Sequence, residues 1–193
     1  MQKPLLEQSK KATEGEEMKT GTKSLLFGVH QFVWHPITVT LAWRKLYGEL
    51  PSIGMFCAIV IHDWGYWGSP NMDGPEGELH AERSSKLALK WLGPYYQLQV
   101  LCHSRHYAKA HNLTPSDLCW ADKYSIRYDP WWLYLPRAWL SGELKEYRSL
   151  HESVGENFKT HREWYFWACE RGTRMGEKQN SDGISYHPQQ EKE

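Results

Sequence analysis

The distribution of apolar and polar residues along the chain predicts a series of helices. In "PEGELHAERSSKLALKWLGP", small and apolar side chains recur every three or four residues, and Gly93 and Pro94 end the segment. "HPITVTLAWRKLYG" has Pro36 in a first helical turn and Gly48 at the helix end. No series of segments alternates with a period of two. We therefore expect an all-α fold, a single-domain helical bundle.

Other segments extend this pattern. The apolar run in "LPSIGMFCAIVIHDWG" fits either a buried strand or a helix, and its helical neighbours favour a helix. "YYQLQVLCHSRHYAKA" predicts one helix, and "TPSDLCWADKYSIRY" predicts another with Thr114 as N-cap and Pro115 in its first turn. "PRAWLSGELKEYRSL" and "GENFKTHREWYFWACE" complete the bundle.

Both ends of the chain differ in composition from its middle. Residues 1–23 and 171–193 are polar and rich in Gly, Lys, Glu and Gln, so burial cannot offset the entropy of ordering them. We expect two disordered tails around a helical domain at 24–170. The longest apolar run, Ile53 to Ile61, has nine residues, whereas a membrane-spanning helix needs about 20. The charged N-terminus has no apolar signal core, so neither export nor membrane anchoring is expected.

Charge and cysteine content narrow the function classes. The 23 basic and 23 acidic residues cancel, so no global field attracts nucleic acid or an anionic membrane. The four cysteines lie in apolar contexts without CxxC spacing, which fits a reducing compartment and a cytoplasmic protein. The 11 tryptophans and 11 tyrosines are best explained by a thick aromatic core, with a base-stacking or sugar-binding surface as the alternative.

Four histidines and two aspartates are candidate metal ligands. Each lies in or beside a different predicted helix, except for one adjacent His-Asp pair, and facing helices of a bundle build metal sites in this way. A buried His-Asp pair at the end of an apolar helix is tolerable if a cation compensates the carboxylate. Histidine and carboxylate without thiolate suit Fe, Mn or Zn. The six residues are His35, His62, Asp63, His80, His103 and Asp122.

The order of these residues resembles the HD superfamily of metal-dependent phosphohydrolases, over about residues 28–128. His35 matches the first histidine of that family, the pair His62 and Asp63 its defining dipeptide, and Asp122 in "WADKYS" its final aspartate. The resemblance implies that these four hold one metal ion. His80 and His103 resemble the extra ligands of the dinuclear branch, in which Asp63 would bridge two ions.

The resemblance also implies cofactors and an activity. It implies two divalent or mixed-valence ions, with Fe or Mn favoured and Zn, Mg, Ni or Co as alternatives. A metal-activated hydroxide would cleave a phosphoester or phosphoanhydride bond of a nucleotide or related small molecule. Dinucleoside tetraphosphate hydrolases have the most similar layout, whereas the GYP element of HD-type cyclic-dinucleotide phosphodiesterases is missing. Two alternatives stay open: a mixed-valent diiron oxygenase with the same ligand order, and a non-catalytic nucleotide-sensing module.

Polar residues beside the ligands are candidates for substrate contact. Arg105 and Lys123 follow His103 and Asp122 closely and are predicted to bind phosphate. His106 lies one turn after His103, so we expect it to be a catalytic acid or a further ligand, acting together with Asp63.

The loop after the His-Asp pair departs from mononuclear HD nucleotidases and alarmone hydrolases, because no acidic residue or histidine follows within four positions. Trp64, Tyr66 and Trp67 occupy it instead, either as an aromatic lid or, as we favour, by packing on the bundle. Gly65 and Gly68 are expected to adopt positive φ angles.

Overall fold

The computed structural model describes residues 18–181, with side chains as far as Lys178, and confirms the all-α prediction. This part of the chain contains α-helices, two short 3-10 turns and no strand. The 3-10 turns are Trp64–Tyr66 and Ile126–Tyr128. The helices are α1 (Thr20–Phe27), α2 (Trp34–Tyr47), α3 (Ile53–Ile61), α4 (Pro75–Glu78), α5 (His80–Leu92), α6 (Pro94–Leu101), α7 (Arg105–Ala110), α8 (Asp117–Ser125), α9 (Trp131–Ser141), α10 (Glu143–Ser153) and α11 (His161–Ser181).

Helices α2 and α3 follow the sequence pattern closely. Gly48 ends α2 in the left-handed conformation, with φ of 79°. The apolar run is a helix rather than a strand, and the Ser52 hydroxyl caps it by accepting a hydrogen bond from the Met55 amide. Because α3 ends at Ile61, the next two residues, His62 and Asp63, leave the helix and turn toward the interior.

Three segments predicted as single helices are each divided in two. The first breaks at Leu79, between α4 and α5. The second breaks after α6, and the Ser104 hydroxyl starts α7 by accepting from the Tyr107 amide. The third breaks at Gly142, whose φ is 93°. Helical periodicity continues across the first two breaks, so the hydrophobic pattern conceals them. His80 and His103 lie at those two breaks.

The N-cap predicted for α8 is wrong. Thr114 and Pro115 lie before the helix, and the cap is Ser116, whose hydroxyl accepts a hydrogen bond from the Cys119 amide. Ser and Thr have similar capping ability, so composition alone does not choose between two candidates so close together.

The helices extend past both predicted domain boundaries. α1 begins at Thr20, and α11 continues beyond residue 170 to Ser181. The polar composition of the last segment conceals a close packing contact: a Cβ added to Gly172 would lie 2.2 Å from the Lys123 carbonyl oxygen in α8. A glycine can bury a helix face without adding hydrophobicity. Residues 1–17 and 182–193, the remainder of the predicted tails, lie outside the described residues.

Three apolar clusters hold the described helices together. The larger cluster lies between α2, α3, α5, α6 and α8, and a smaller one joins α9, α10 and α11. A third joins Leu25 of α1 to Tyr66 and Met72. Buried members of the larger cluster are Val39, Ala42, Trp43, Leu46, Met55, Ala58, Ile59, Ile61, Ala88, Val100, Leu118, Ala121 and Tyr124. The four cysteines are free thiols. Within residues 18–181, no helix combines the length and apolar character needed to cross a bilayer.

A close backbone contact places the loop after α3 against the start of α5. A Cβ added to Gly65 would lie 2.0 Å from the His80 carbonyl oxygen, and the Gly65 amide donates to the Ser84 hydroxyl at 2.8 Å. The expectation of a positive φ is wrong for Gly65 and correct for Gly68, whose φ is 75°. A glycine is needed at position 65 because a side chain there would prevent the close contact with the His80 backbone.

We predict that Gly65→Ala destabilises the protein by about 3 kcal/mol or more, because the new methyl group meets backbone that cannot rotate away. Gly68→Ala is the control: its added Cβ has no atom within 4 Å, so only backbone strain of about 1 to 2 kcal/mol applies. Urea unfolding of both variants measures the difference. Equal losses would contradict the proposed contact.

Candidate metal centre

The structure brings all six predicted ligand residues to one place in the bundle. His35 lies in the first turn of α2, the pair His62 and Asp63 follows α3, and Asp122 lies within α8. His80 is the first residue of α5, and His103 lies between α6 and α7. All six side chains are at least nine-tenths buried.

The six residues form two groups that share Asp63. One group is His35, His62, Asp63 and Asp122, and the other is Asp63, His80 and His103. Within each group, one ligand atom from every residue lies within 4.8 Å of the others. These groups could hold metal ions.

The two oxygens of Asp63 face different groups. Its Oδ2 lies 3.1 Å from His35 Nε2 and 3.0 Å from His62 Nε2. Its Oδ1 lies 3.5 Å from His103 Nε2 and 3.9 Å from His80 Nε2. One carboxylate is thus shared between the two nitrogen sets, with one oxygen directed to each.

Backbone carbonyls orient three of the imidazoles. In each case Nδ1 bonds the carbonyl three residues earlier: His62 with Ile59 at 2.6 Å, His80 with Gly77 at 2.7 Å, and His103 with Val100. A carbonyl only accepts, so Nδ1 carries the proton and Nε2 is left with a lone pair directed at the centre. Metal-binding histidines are commonly oriented by this kind of contact.

Several buried polar atoms of the centre lack hydrogen bonds. His35 Nε2, His62 Nε2 and Asp63 Oδ2 are close to one another, yet none has a partner with hydrogen-bond geometry. His80 Nε2 and His103 Nε2 lie 3.0 Å apart. With Nδ1 protonated on both rings, these two nitrogens would present lone pairs to each other, which is unfavourable without a proton or cation between them. The donor set therefore fits a metal ion.

Electrostatics in the centre favour compensation of buried negative charge. Burial would raise the pKa of Asp63, but His62 and His30 hold that pKa well below its usual range. Burial likewise opposes ionisation of Asp122, and Lys123 and the imidazoles of His35 and His62 lower its pKa.

The pKa values of two imidazoles in the centre shift in opposite directions. Burial lowers the pKa of His62, but the two carboxylates outweigh burial and raise it to about 10. Burial and His103 hold the pKa of His80 well below its usual range, so His80 is neutral. A proton on His62 and a cation in the centre are alternative ways to compensate the same carboxylates.

The aromatic loop packs on the centre. Tyr66 is buried and stacks on His80, with ring centroids 3.9 Å apart and planes at 11°. Burial, followed by Asp63, holds the pKa of Tyr66 well above its usual value, so the phenol keeps its proton. Trp67 is 59% exposed and stacks on Phe32. The sequence identified the loop but not the contact between Tyr66 and His80.

A cavity of about 270 Å³ opens beside the first group. His35 and Asp122, whose side chains are at least nine-tenths buried, line its inner end, and residues of α10 and α11 line it as well. Arg105 and Lys123 also line it, and Lys123 Nζ bonds Asp122 Oδ2 at 2.9 Å.

His106 is not brought into this cavity. Its side chain is 65% exposed and its Nδ1 lies 3.5 Å from Glu78 Oε2, in a separate surface depression. The direction of α7 explains the difference from the sequence prediction, because the break before α7 removes His106 from the helix face that would carry His103.

A buried histidine and glutamate beside the centre were missed by the sequence reasoning. Glu143, at the start of α10, is fully buried and bonds His30 Nδ1 at 2.8 Å. The His30 ring lies 5.2 Å from the His35 ring and lines the cavity. Glu143 also accepts hydrogen bonds from Ser24 Oγ, Val29 N, Ser141 Oγ and Tyr147 OH. The one sequence signal was a histidine five residues before His35, and nothing linked it to a glutamate 113 positions away.

Comparisons of the chain with protein-family models, with curated proteins and with solved structures found no match.

We predict that stacking by Tyr66 maintains the metal affinity of the group that contains His80. Tyr66→Phe keeps the ring and should bind Mn²⁺ as the wild type does, whereas Tyr66→Leu should bind about 10 to 100 times more weakly. Trp67→Leu, at the exposed neighbour, is the matched control. Calorimetric titration measures the affinities, and wild-type affinity in the folded Leu variant would contradict the role of the stack.

We predict that Glu143→Gln lowers the free energy of unfolding by about 3 to 5 kcal/mol, because a buried charge with five donors loses its ionic contacts. His30 and Ser141 help lower the folded pKa of Glu143 from 4.5, so its stabilisation is present above that pH and is lost as the pH falls through the lower folded value. The difference between wild type and variant should therefore shrink in acid.

Urea unfolding at several pH values measures this effect. Glu152→Gln, at an exposed position of the same helix, should change stability by less than about 0.5 kcal/mol. A difference between wild type and Glu143→Gln that does not vary with pH would show that the Glu143 charge is not the stabilising feature.

Proposed function

We propose that the chain is a metal-dependent hydrolase that cleaves a phosphoester or phosphoanhydride bond of a small phosphorylated molecule such as a nucleotide. The observation that carries the proposal is the sharing of Asp63, whose two oxygens face two separate sets of imidazole nitrogens. Such an arrangement suits two adjacent cations, and paired cations are common in phosphoryl-transfer enzymes.

In this proposal, His35, His62, Asp63 and Asp122 hold one ion, and Asp63, His80 and His103 hold the other. Metal ions in such sites lower the pKa of water to give a nucleophile at neutral pH and neutralise charge on the phosphoryl group. The nitrogen and oxygen donor set favours Fe or Mn, with Zn, Mg, Ni and Co as alternatives. The all-α fold and the order of the six residues are compatible with an HD-type domain.

The chain's own residues supply binding beside the centre. Lys123 lines the cavity beside Asp122 and would attract the oxygens of the reacting phosphate, and Arg105 lines the same cavity and adds positive charge to it. The Tyr66 hydroxyl makes no hydrogen bond within residues 18–178 and borders the same cavity, so it is free to donate one to the substrate. Together these groups orient an anionic ligand although the protein as a whole is neutral.

We predict that the metal-loaded protein hydrolyses at least one member of a phosphomonoester, phosphodiester and nucleotide panel. Asp63→Asn should retain the fold but lose more than about a thousandfold in activity, because the charge shared by both groups is removed. His62→Ala should lose bound metal as well, whereas His111→Ala, at an exposed histidine outside the centre, should change neither property. Anaerobic assays with Mn²⁺ and with Fe²⁺, together with metal analysis, measure both.

Three results would contradict this proposal in different ways. Turnover that requires iron and consumes dioxygen would assign oxygenase chemistry. A bound nucleotide without turnover would assign a sensing module. No metal bound after reconstitution would refute the site itself.

A further inference from the structure

Two exposed guanidinium groups from different helices line the cavity, and we call the part beside them its outer end. Arg105 comes from α7, beside the centre, and Arg171 comes from α11, in the stretch predicted to be a tail. The two helices meet at this point, because Arg105 Nη1 lies 3.2 Å from the thioether sulfur of Met175.

Neither guanidinium has an acidic partner among the residues that the structure describes. Within residues 18–178, the polar contact of Arg105 is a thioether, which is a weak acceptor, and Arg171 lies over the Trp167 ring with Cζ 5.1 Å from its centroid. Other arginines of the chain do form ion pairs: Arg137 with Asp129, Arg148 with Glu152, and Arg174 with Glu170. Arg105 and Arg171 therefore retain the capacity to bind an anion.

The other charges of the cavity do not cancel these two. Lys123 is paired with Asp122, and Asp129 with Arg137. Asp73 is the acidic lining residue without an ion pair in the described part of the chain. Two guanidiniums against one carboxylate leave the outer end with an excess of positive charge.

The room available limits the size of the ligand. At about 270 Å³, the cavity is slightly below the range of about 300 to 1,000 Å³ that encloses drug-sized ligands. A dinucleoside polyphosphate would extend far outside it. A compact molecule with one anionic group at the inner end and another at the outer end would fit.

We propose that Arg105 and Arg171 bind a second anionic group, a carboxylate or a second phosphate, on a compact substrate whose first phosphate reacts at the inner end of the cavity. This inference rests on the proposed function for the reacting end. The planar guanidinium binds either group through paired hydrogen bonds.

The test uses ligands that a hydrolase cannot cleave. The Mn²⁺-loaded full chain is titrated anaerobically, by calorimetry, with phosphonoalkanoates and alkane bisphosphonates of one to four methylene groups. Alkylphosphonates of the same lengths lack the second anionic group. We call the phosphonoalkanoates and bisphosphonates two-headed, because they have two anionic groups, and the alkylphosphonates one-headed. We expect the best two-headed ligand to bind at least about tenfold more tightly than its matched alkylphosphonate. Which of the two series binds better identifies the second group as carboxylate or phosphate.

Substitutions test which residues bind the second anionic group. Arg105→Gln and Arg171→Gln should each remove about tenfold of the affinity for the two-headed ligand and leave that for the alkylphosphonate unchanged. Arg171→Lys should recover part of the loss, since it restores charge without the paired donors. Arg174→Gln, on the same helix and 67% exposed, is the matched control and should bind as wild type. Thermal unfolding checks that each variant is folded.

Equal binding of one-headed and two-headed ligands would overturn the inference, as would an equal loss for both ligand types in the arginine variants. The measurement is independent of turnover. Absence of hydrolysis, combined with arginine-dependent binding, would refute the proposed reaction but support the anion site. Hydrolysis without any preference for ligands with two anionic groups would support the proposed reaction but refute the anion site.

Discussion

Burial of two carboxylates is the constraint on which the arrangement of this bundle depends. Asp63 and Asp122 lie in the interior, where an uncompensated charge costs several kcal/mol, and imidazoles from four separate places in the chain surround them. The ends of two helices allow imidazoles to surround these carboxylates. Because α3 ends just before His62 and α6 ends shortly before His103, each of these histidines bonds a carbonyl of the preceding helical turn and directs its other ring nitrogen inward.

The sequence predicted the helices whose ends have strong local signals. α2 has a proline at its start and a glycine at its end, so its boundaries were correct within a residue or two. Where a break has no proline or glycine, as at Leu79, the apolar spacing on both sides is continuous and one helix was predicted instead of two. The end of α11 was missed for a related reason, since Gly172 contacts α8 through backbone and contributes no apolar side chain.

The candidate site was predictable only as far as its residues resemble a known order. Six ligand candidates could be selected because their order resembles that of HD-type proteins, and the structure brings them together: His35, His62, Asp63, His80, His103 and Asp122. His30 and Glu143 could not be selected from the sequence, because their contact joins positions 113 residues apart and neither residue has a local signal. His106 shows the converse difference: it is close to His103 in sequence, but a chain turn lies between them and the His106 side chain is exposed beside Glu78.

The contact of Gly172 with the Lys123 carbonyl has a consequence for how this protein can diversify. Helices α8 and α11 both line the cavity, and at this point their approach is limited by contact between backbones rather than between side chains. The spacing of these two helices therefore depends on a glycine, whereas the chemistry of the cavity lining depends on side chains. Under the proposed function, substitutions at Arg171 or Trp167 would alter which molecule binds while the spacing of the two helices stays the same. Ligand preference could then change without a change in the helix packing that encloses the cavity.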